Sequence, residues 1–343
     1  MNGGCRRNML VTLGSMVLWM MVLQPAAADW PTYRADSHRS GISEEGLKLP
    51  LRAAWAHEAA LAPCPAWPEM PATVDVYRRV RLSPTVIFDR AYHVAVGGES
   101  LYYGSSADDT VYCLDVATGK VRWSFCTEGP VRLAPTVAGG RVYAGSDDGC
   151  LYCLDAADGR LVWKHRAGPA DRRLPGNGRM MSLWPVRCGI VVDGPAVYCC
   201  AGLFPSQGTY LCAVAEDDGR EIWKQQVDVS AQGYLVGSPS RLYVPTGRTP
   251  PHIYDRTGGE QIAPFPGIGQ QRSGFPEGGG CFAVLVDDFL VHGGGEKGGM
   301  QVIDARSREK LISTAGTRPL PLAWISRRCD TTALICNAIW ERI

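Results

Sequence analysis

The chain carries the stretch YCLDVATGKVRW at Tyr112–Trp123 and repeats it as YCLDAADGRLVW at Tyr152–Trp163. A third copy, CAVAEDDGREIW, stands at Cys212–Trp223, and two shorter copies without the tryptophan begin at Ile253 and Val302. Alternating apolar and aromatic residues on both sides of a glycine turn are typical of a β-hairpin. Self-similarity at a nearly regular spacing predicts a repeat architecture.

Two further strands are predicted ahead of each hairpin. Proline costs no ladder hydrogen bond at the first position of a strand, so first strands are predicted to open at Pro84, Pro135, Pro185 and Pro239. Second strands are predicted around Tyr102, Tyr143, Tyr198 and Tyr243. Each repeat therefore contains four antiparallel strands.

Four-stranded units that recur every ~40 to 55 residues predict an all-β protein, a β-propeller of four-stranded blades. A single sheet of this kind cannot bury both faces, so neighbouring sheets must supply the rest of the core. We expect Trp123, Trp163 and Trp223 to pack between adjacent sheets. A β-sandwich is the competing class, but sandwiches do not repeat a motif at a fixed interval.

Composition excludes one class of partner. The 343 residues include 40 glycines and 24 prolines, which favours short strands and turns over a helical bundle. Lys and Arg total 35 against 34 Asp and Glu, a net charge of +1. A nucleic-acid partner is not expected, because neutralising phosphates requires a basic excess.

The N-terminus is predicted to be a signal peptide, residues 1–28, cleaved after Ala28. Arg6 and Arg7 precede the apolar run Met9–Leu23, and small residues follow at Ala26–Ala28. The run is too short for a membrane span, and no later stretch reaches the ~20 apolar residues required. A periplasmic or secreted protein is expected, by the general secretory or the twin-arginine route, with residues 29–343 forming the propeller domain.

The Tyr-x-Leu-Asp-x4-Gly-x3-Trp repeat resembles that of the pyrroloquinoline-quinone-like propeller superfamily. That superfamily includes the quinoprotein alcohol dehydrogenases and the outer-membrane protein assembly factor B lipoproteins. Trp30–Asp36 and Arg39–Gly41 are similar to the opening of exported propeller proteins of planctomycete-type bacteria. The resemblance is specific for the repeat and the fold, and unspecific for activity.

The resemblance implies a ring of seven or eight blades. Five repeats are visible here, a partial sixth begins around Pro319–Trp324, and Leu51–Trp55 resembles a closing fourth strand. We therefore expect an incomplete seven- or eight-bladed ring, truncated at the C-terminus. A ring of six units is the alternative.

Cysteine usage leaves two interpretations open. The sequence has 13 cysteines, and in an exported protein they suggest a disulfide framework whose connectivity the sequence does not give. Cys150 and Cys153 form a C-x2-C pair, yet Cys153 occupies an apolar repeat position shared with Cys113 and Ala213. A free thiol there behaves as a small core residue. No metal site is predicted, and the six histidines show no zinc-binding spacing.

No catalytic residue is predicted. Acidic pairs occur at Asp108-Asp109, Asp147-Asp148, Asp217-Asp218 and Asp287-Asp288. Each falls in a predicted hairpin turn, where aspartate commonly bonds its own backbone.

The resemblance to quinoprotein dehydrogenases implies a cofactor site as an alternative. That family places adjacent cysteines against its quinone, with a stacking tryptophan, calcium and a catalytic aspartate. Cys199, Cys200 and Trp184 match this set in part, but no calcium ligands or aspartate match. Pyrroloquinoline quinone with calcium is expected only under this alternative, and otherwise no cofactor is expected. As strand residues, Cys199 and Cys200 point to opposite faces of a sheet.

The binding candidates are arginines of the loop between Trp163 and Trp184 and nearby positions. They are Arg166, Arg172, Arg173, Arg179, Arg187 and Arg272. Arginine suits planar carboxylates or sulfate-like anions, and loops on a rigid scaffold commonly carry binding residues. A solvated loop with scattered positive charge is the competing interpretation.

The sequence therefore favours an exported, non-catalytic β-propeller that acts as a binding or assembly scaffold in the cell envelope, with a protein or glycan partner. The alternative is a quinone-dependent dehydrogenase of an alcohol or sugar.

Overall fold

A computed structural model describes residues 29–43, 49–66, 74–75, 80–81, 88–176, 178–246, 250–262, 282–293 and 300–313. The predicted signal peptide, the partial sixth repeat at Pro319–Trp324 and Arg272 lie outside these residues. Within them, the helical elements are two single 3-10 turns, η1 (Phe88–Arg90) and η2 (Pro205–Gln207).

The remaining elements are short strands. In chain order they are β1 (Val74–Asp75), β2 (Val80–Arg81), β3 (Val94–Gly97), β4 (Ser100–Ser105), β5 (Thr110–Asp115), β6 (Val121–Cys126), β7 (Thr136–Ala138), β8 (Arg141–Gly145), β9 (Cys150–Asp155), β10 (Leu161–Arg166), β11 (Arg173–Gly176), β12 (Arg179–Ser182), β13 (Cys188–Gly189), β14 (Val191–Asp193), β15 (Ala196–Ala201), β16 (Thr209–Ala215), β17 (Glu221–Val227), β18 (Gly233–Tyr234), β19 (Val236–Gly237), β20 (Arg241–Val244), β21 (His252–Asp255), β22 (Gln261–Ile262), β23 (Phe282–Val286), β24 (Phe289–Gly293), β25 (Met300–Asp304) and β26 (Lys310–Ser313).

Five four-stranded antiparallel sheets account for most strands, each ordered as in the chain. Sheet 1 is β3–β6, sheet 2 is β7–β10, sheet 3 is β14–β17, sheet 4 is β19–β22 and sheet 5 is β23–β26. Three two-stranded pairs accompany them: β1 with β2, the hairpin β11–β12, and β13 parallel to β18. The all-β class and the five visible repeats are confirmed.

The repeat tryptophans join consecutive sheets. The indole N–H of Trp123 in sheet 1 donates to the carbonyl of Ala156, beyond β9 of sheet 2, at 3.1 Å. Trp163 makes the same bond to the carbonyl of Glu216, in the turn between β16 and β17 of sheet 3, at 3.1 Å. Trp223 makes it to the carbonyl of Arg256, in the turn between β21 and β22 of sheet 4, also at 3.1 Å. Each contact repeats the previous one, one sheet further along, which confirms the predicted packing between neighbours.

A glycine in each tight turn makes room for the indole. Gly159 has φ +75°, and a Cβ built on it would lie 2.6 Å from the ring of Trp123. Gly140 has nearly the same φ, +74°, but a Cβ there meets nothing within 4 Å. Comparing Gly159 with Gly140 therefore separates the energetic cost of a positive φ from the cost of a clash with the indole ring of Trp123.

Gly159→Ala is therefore expected to lower the free energy of unfolding by about 2–4 kcal/mol, because it adds overpacking to backbone strain. Gly140→Ala carries only the strain and is expected to cost about 1 kcal/mol. Urea unfolding of both variants measures the difference. Equal losses would show that the indole does not fill the space above Gly159.

Three details of the predicted strands need correction. Pro135 does stand directly before β7, but Pro185 lies in the connection ahead of β14 and Pro239 lies in the turn between β19 and β20. Leu51–Trp55 is not a strand. Its tryptophan nevertheless occupies the repeat position, since Trp55 donates to the carbonyl of Val116 at 2.7 Å. The prediction of a strand at Leu51–Trp55 is therefore wrong, although its tryptophan makes the contact of the other repeats.

The middle strands of sheets 2 and 3 are buried on both faces, because each of these sheets lies between two others. Every residue of β15 is buried, as are five of the six in β9. The hydrophobic clusters accordingly extend across sheet boundaries, from sheet 1 into sheet 2 and from sheet 4 into sheet 5. The fourth strands are more exposed, as in β6.

The segment 29–43 runs along the inner edges of the sheets. Trp30 exchanges two backbone hydrogen bonds with Val96 of β3, at 2.9 and 2.8 Å. The carbonyl groups of Pro31, Ser37 and His38 accept from backbone N–H groups of β7, β19 and β23. First strands are the innermost strands of propeller blades, so the segment lies along the axis and pairs edges that would otherwise be unpaired.

Arg39 anchors this axial segment. Its guanidinium is 1% exposed and donates from Nε to the carbonyl of Leu235 at 2.9 Å and from Nη2 to that of Ile190 at 2.8 Å. Burial lowers its pKa to about 10, which leaves it charged at neutral pH. Carbonyl and hydroxyl oxygens hold the cation, and no carboxylate of the described residues contacts it.

Candidate functional site

Longer connections gather at one end of the sheets. In an antiparallel meander, the turn between second and third strands and the connection to the next sheet lie at the same end. This end, called the loop end below, comprises the turns 105–110, 145–150 and 202–208 and the connections 127–135, 167–190 and 228–235. The tight glycine turns with the tryptophan contacts lie at the opposite end.

Backbone hydrogen bonds join these loops. The N–H of Thr127 donates to the carbonyl of Asp109 at 2.7 Å, and that of Asp147 donates to Pro130 at 2.9 Å. Ser182 donates in turn to Asp147 at 2.8 Å. The loops of sheets 1, 2 and 3 therefore form one connected surface.

The inserted loop between Trp163 and Trp184 contains the hairpin β11–β12. Its tip encloses an open depression of about 480 Å³ lined by Pro175, Gly176, Gly178, Arg179 and Met180. The side chain of Met180 is 53% exposed. The hairpin adds an exposed apolar group to the loop end.

Three of the candidate arginines are paired with carboxylates. Arg166 lies 3.2 Å from Asp171, and Arg173 lies 2.7 Å from Glu128 and 3.3 Å from Asp171. Arg179 contacts Asp109. These pairs fasten the hairpin to the loops of sheets 1 and 2 and reduce the positive charge offered to a ligand.

Charge pairing also changes the titration of the carboxyl groups. Hydrogen bonds from Lys164 and then Arg173 lower the pKa of Glu128. Burial raises the pKa of Asp109, although Arg179 opposes the shift.

Arg172 is exposed and makes no side-chain hydrogen bond or ion pair with the described residues. Among the described candidate arginines, Arg172 is therefore the one whose guanidinium can contact a ligand.

A buried charge network lies beneath this surface. Arg187, a predicted ligand-binding residue, donates from Nε and Nη2 to the two oxygens of Asp147 at 2.6 and 2.7 Å. Arg132 donates to the same carboxylate at 2.7 Å and lies 3.3 Å from Asp89. All four side chains are buried. The two positive and two negative charges balance within the network. Arg187 therefore pairs with Asp147 inside the protein and does not face a ligand at the surface.

This network corrects the interpretation of one acidic pair. Asp147 and Asp148 do lie in the turn between β8 and β9, but turn chemistry alone does not explain them. Asp147 holds two buried guanidinium groups, and the Asp148 carboxylate accepts from Cys150 N–H at 2.8 Å and from the Tyr152 hydroxyl. A signal existed in the sequence: Arg132 and Arg187 each stand between apolar neighbours, Val131 and Leu133 in one case and Val186 and Cys188 in the other.

Aromatic side chains cover the axis at the loop end. The rings of Tyr33 and Tyr234 stack with centroids 3.8 Å apart. The Tyr234 hydroxyl accepts from Ala134 N–H at 2.8 Å and lies 2.7 Å from His93 Nδ1. Burial lowers the pKa of His93 to about 4, so its ring is neutral at neutral pH. This cluster was not anticipated from the sequence.

The residues proposed for a quinone do not form a planar binding site. Trp184 is 7% exposed, donates to the carbonyl of Gln207 at 2.7 Å and packs edge-on against Tyr210. A Cβ on Gly168 would lie 2.8 Å from its side chain, so that approach is filled as well. Cys199 and Cys200 are buried in β15 on opposite faces. These three residues therefore do not fit the cofactor.

The cysteines of the described residues are free thiols, nine in number. Cys153 is buried in β9, as the repeat alignment predicted, and Cys150 is buried in the same strand. No cluster of three or more His, Cys, Asp or Glu side chains suited to a metal ion occurs in the part of the chain that the structure describes. Nor do the described residues include a helix with the length and hydropathy of a membrane span.

Comparison with known proteins supports the architecture. The sequence model of a family described as outer membrane protein assembly factor BamB matches residues 79–208, a little over a third of the chain. BamB from Moraxella catarrhalis is 18% identical, with a TM-score of 0.50 over 65% of this chain and 62% of that one. No curated protein matches.

Two dehydrogenase structures are also similar. A europium-containing methanol dehydrogenase is 13% identical, with a TM-score of 0.55 over 84% of this chain and 58% of that one. The quinohemoprotein alcohol dehydrogenase from Comamonas testosteroni is 14% identical, with a TM-score of 0.54 over 87% and 50%. The chain thus spans half to about three fifths of the length of these structures, and at such identities they share its fold alone.

Five consecutive four-stranded sheets, the first four joined by a repeated indole contact, define this protein as a β-propeller. The match over residues 79–208 and the similar structures show a resemblance of this chain to the PQQ-like β-propellers in repeat and fold. The resemblance expected from the sequence is confirmed at this level, while the planctomycete-type grouping and the number of blades in the ring stay predictions.

Proposed function

We propose that this protein is a non-catalytic binding or assembly scaffold of the cell envelope that docks a protein partner at its loop end. One observation carries the proposal: exposed apolar and cationic side chains stand on loops that paired and buried charges hold in place. The printed description of the matching family, an outer membrane protein assembly factor, supports the same role and an envelope location.

Two apolar side chains supply anchors. Met180 on β12 and Phe204 beside η2 are 53% and 54% exposed. Their loops are joined, because Trp184 at the base of the hairpin donates to Gln207 in η2 and Gly202 N–H donates to the carbonyl of Pro185. Methionine, aromatic residues and arginine are enriched in protein interfaces, and Arg172 adds the last of these.

The fixed charges favour a protein over an acidic glycan. Glu128, Asp171 and Asp109 already accept from Arg173, Arg166 and Arg179. An anionic ligand would have to displace these carboxylates, whereas an apolar protein surface can cover Met180 and Phe204 without breaking a pair. A glycan partner is therefore the less favoured form of the scaffold.

A variant pair tests the docking surface. Met180→Ser with Phe204→Ser is expected to weaken partner binding at least about tenfold, since exposed anchors in the centre of an interface carry most of its free energy. The matched control is Val121→Ser with Ile222→Ser, which removes two equally exposed apolar groups from fourth strands. Partners cross-linked in envelope extracts are identified by mass spectrometry, and affinity is measured by interferometry.

Two outcomes would contradict the proposal. Equal binding by both double variants would place the interface away from the loop end. Dye reduction with an alcohol or aldose after addition of pyrroloquinoline quinone and calcium would instead favour a dehydrogenase. A third result would contradict a protein partner: binding that is lost only in Arg172→Ala with Arg173→Ala, and that excess acidic glycan blocks in the unsubstituted protein, would identify a glycan partner.

A further inference from the structure

Cys199 and Cys212 face each other across the two middle strands of sheet 3. They are Cα partners in the antiparallel register of β15 and β16, so both side chains project from the same face of the sheet. Both are fully buried, at 0% exposure. The described cysteines offer this one directly opposed pair, since Cys113 and Cys153 face Trp123 and Trp163 instead.

Strand register brings the two Cα atoms within disulfide range, and closure has to draw the two Cβ atoms closer together. Glu216 N–H donates to the carbonyl of Pro195, which makes those two residues a hydrogen-bonded pair of the ladder. Such pairs alternate along an antiparallel ladder, so Cys199 and Cys212 form one too, with Cα atoms about 5.5 Å apart. That separation lies within the usual range for a disulfide, about 4.4–6.8 Å.

A row of polar groups surrounds Cys212. Lys224 of β17 is its partner on the other side, and the Lys224 ammonium lies 2.6 Å from Glu221. His165 of β10, in the neighbouring sheet, packs against the thiol, and its buried Nε2 makes no hydrogen bond and lies 3.9 Å from Glu221. The imidazole and the ammonium both favour a thiolate at this position.

The two thiols differ in acidity. A hydrogen bond from Cys199, followed by one from His165, lowers the pKa of Cys212 to about 7. The same bond to Cys212 and burial raise the pKa of Cys199. Cys212 is therefore suited to attack a disulfide, and Cys199 to resolve the product.

We propose that Cys199 and Cys212 are a redox-active pair that closes a cross-strand disulfide between β15 and β16, with His165 as the base for Cys212. Glutathione disulfide represents the class of oxidant, and because both thiols are buried it reacts when sheet 3 opens locally. The Cys212 thiolate bonds to one of its sulfurs, the disulfide breaks and one glutathione leaves as a thiol, taking the Cys212 proton from His165. Cys199 then bonds to the Cys212 sulfur and releases the second glutathione with its own proton. Two electrons pass from the cysteines to the glutathione disulfide.

Closure would join the strands that lead into and out of the loop 202–208. β15 ends at Ala201 and β16 begins at Thr209, so a bond between them restrains the loop that carries Phe204. Cys188 does not compete for the pair, because its sulfur contacts the backbone N–H and carbonyl of Cys200 at 2.8 and 3.2 Å.

The test is peptide mapping of the full chain after equilibration in glutathione redox buffers. Oxidised protein is expected to lose two titratable thiols and to yield a linked peptide pair containing Cys199 and Cys212, with no retained glutathione. The exposed thiol of Cys126 is expected to carry glutathione instead. The midpoint of thermal unfolding should rise by several degrees on closure.

Variants separate the pair from general thiol chemistry. Cys199→Ser and Cys212→Ser should each abolish the redox-dependent rise, while Cys153→Ser, a buried thiol with no cysteine opposite, should retain it. His165→Ala should slow closure without changing which peptides are linked. Labelling of both thiols after unfolding of the oxidised protein, or a Cys188–Cys200 link in place of the expected one, would overturn the proposal.

Discussion

Replacing Asp147 by asparagine is expected to lower the free energy of unfolding by about 3–5 kcal/mol, because breaking a buried ion pair leaves uncompensated charge. The carboxylate accepts three hydrogen bonds, two from Arg187 and one from Arg132. With Asp147 neutral, the buried guanidinium of Arg187 would lose its carboxylate partner, and that of Arg132 would keep Asp89 alone. Urea unfolding followed by tryptophan fluorescence measures the loss.

Asp158→Asn is the matched control for this substitution. Asp158 is an exposed aspartate in another hairpin turn of sheet 2, where it accepts from Arg160 N–H at 2.9 Å. A change within about 1 kcal/mol is expected, as for most surface substitutions. A loss of stability in Asp147→Asn no larger than that of the control would show that the buried network does not hold the loops of the loop end in place. The proposed docking surface would then have no fixed support.

Replacing Arg39 by alanine is the second substitution with a large expected effect, about 3–5 kcal/mol of unfolding free energy. The side chain is the shared donor for the carbonyls of Leu235 and Ile190, which stand ahead of sheets 4 and 3. A buried acceptor left without its donor costs about 1–3 kcal/mol, and the alanine also leaves a cavity. Urea unfolding gives the stability, and limited proteolysis reports release of the axial segment.

Arg34→Ala provides the comparison within the same segment. Arg34 donates to the carbonyls of Arg39 at 2.9 Å and Ser40 at 3.5 Å and contacts no sheet through these bonds. We expect a loss of about 1 kcal/mol and no change in proteolysis. Similar losses in both variants would mean that Arg39 does not hold the sheets to the axis, whatever its burial.

The two substitutions test different kinds of connection between sheets. Asp147 joins loops at one end, and Arg39 joins inner edges along the axis. Both are ionic groups held by partners far apart in the sequence, with Arg39 and Leu235 separated by 196 positions. The repeated sequence motif predicts neither the contacts of Asp147 nor those of Arg39, because the motif contains only the features that all the sheets share.

The candidate site shows where sequence reasoning succeeded and where it did not. It singled out the inserted loop between Trp163 and Trp184 and its arginines as a binding candidate, which stays a prediction, and it placed Cys153 in the core. It treated those arginines as one cationic group, whereas Arg166, Arg173 and Arg179 are paired with carboxylates and Arg187 is buried. A single sequence lists charges but does not reveal which opposite charge each will meet.

The sequence by itself determined the repeating sheet, its turns and the position of the indole contact, because these depend on neighbouring residues within one repeat. Gly159 and Trp123 illustrate this, since turn conformation and repeat spacing together place the glycine below the ring. Tertiary structure alone decided the axial role of Arg39, the pairing of Asp147 with Arg132 and Arg187, and the meeting of Cys199 with Cys212. Those contacts arise where separate sheets and strands come together, and their partners are fixed by packing in three dimensions.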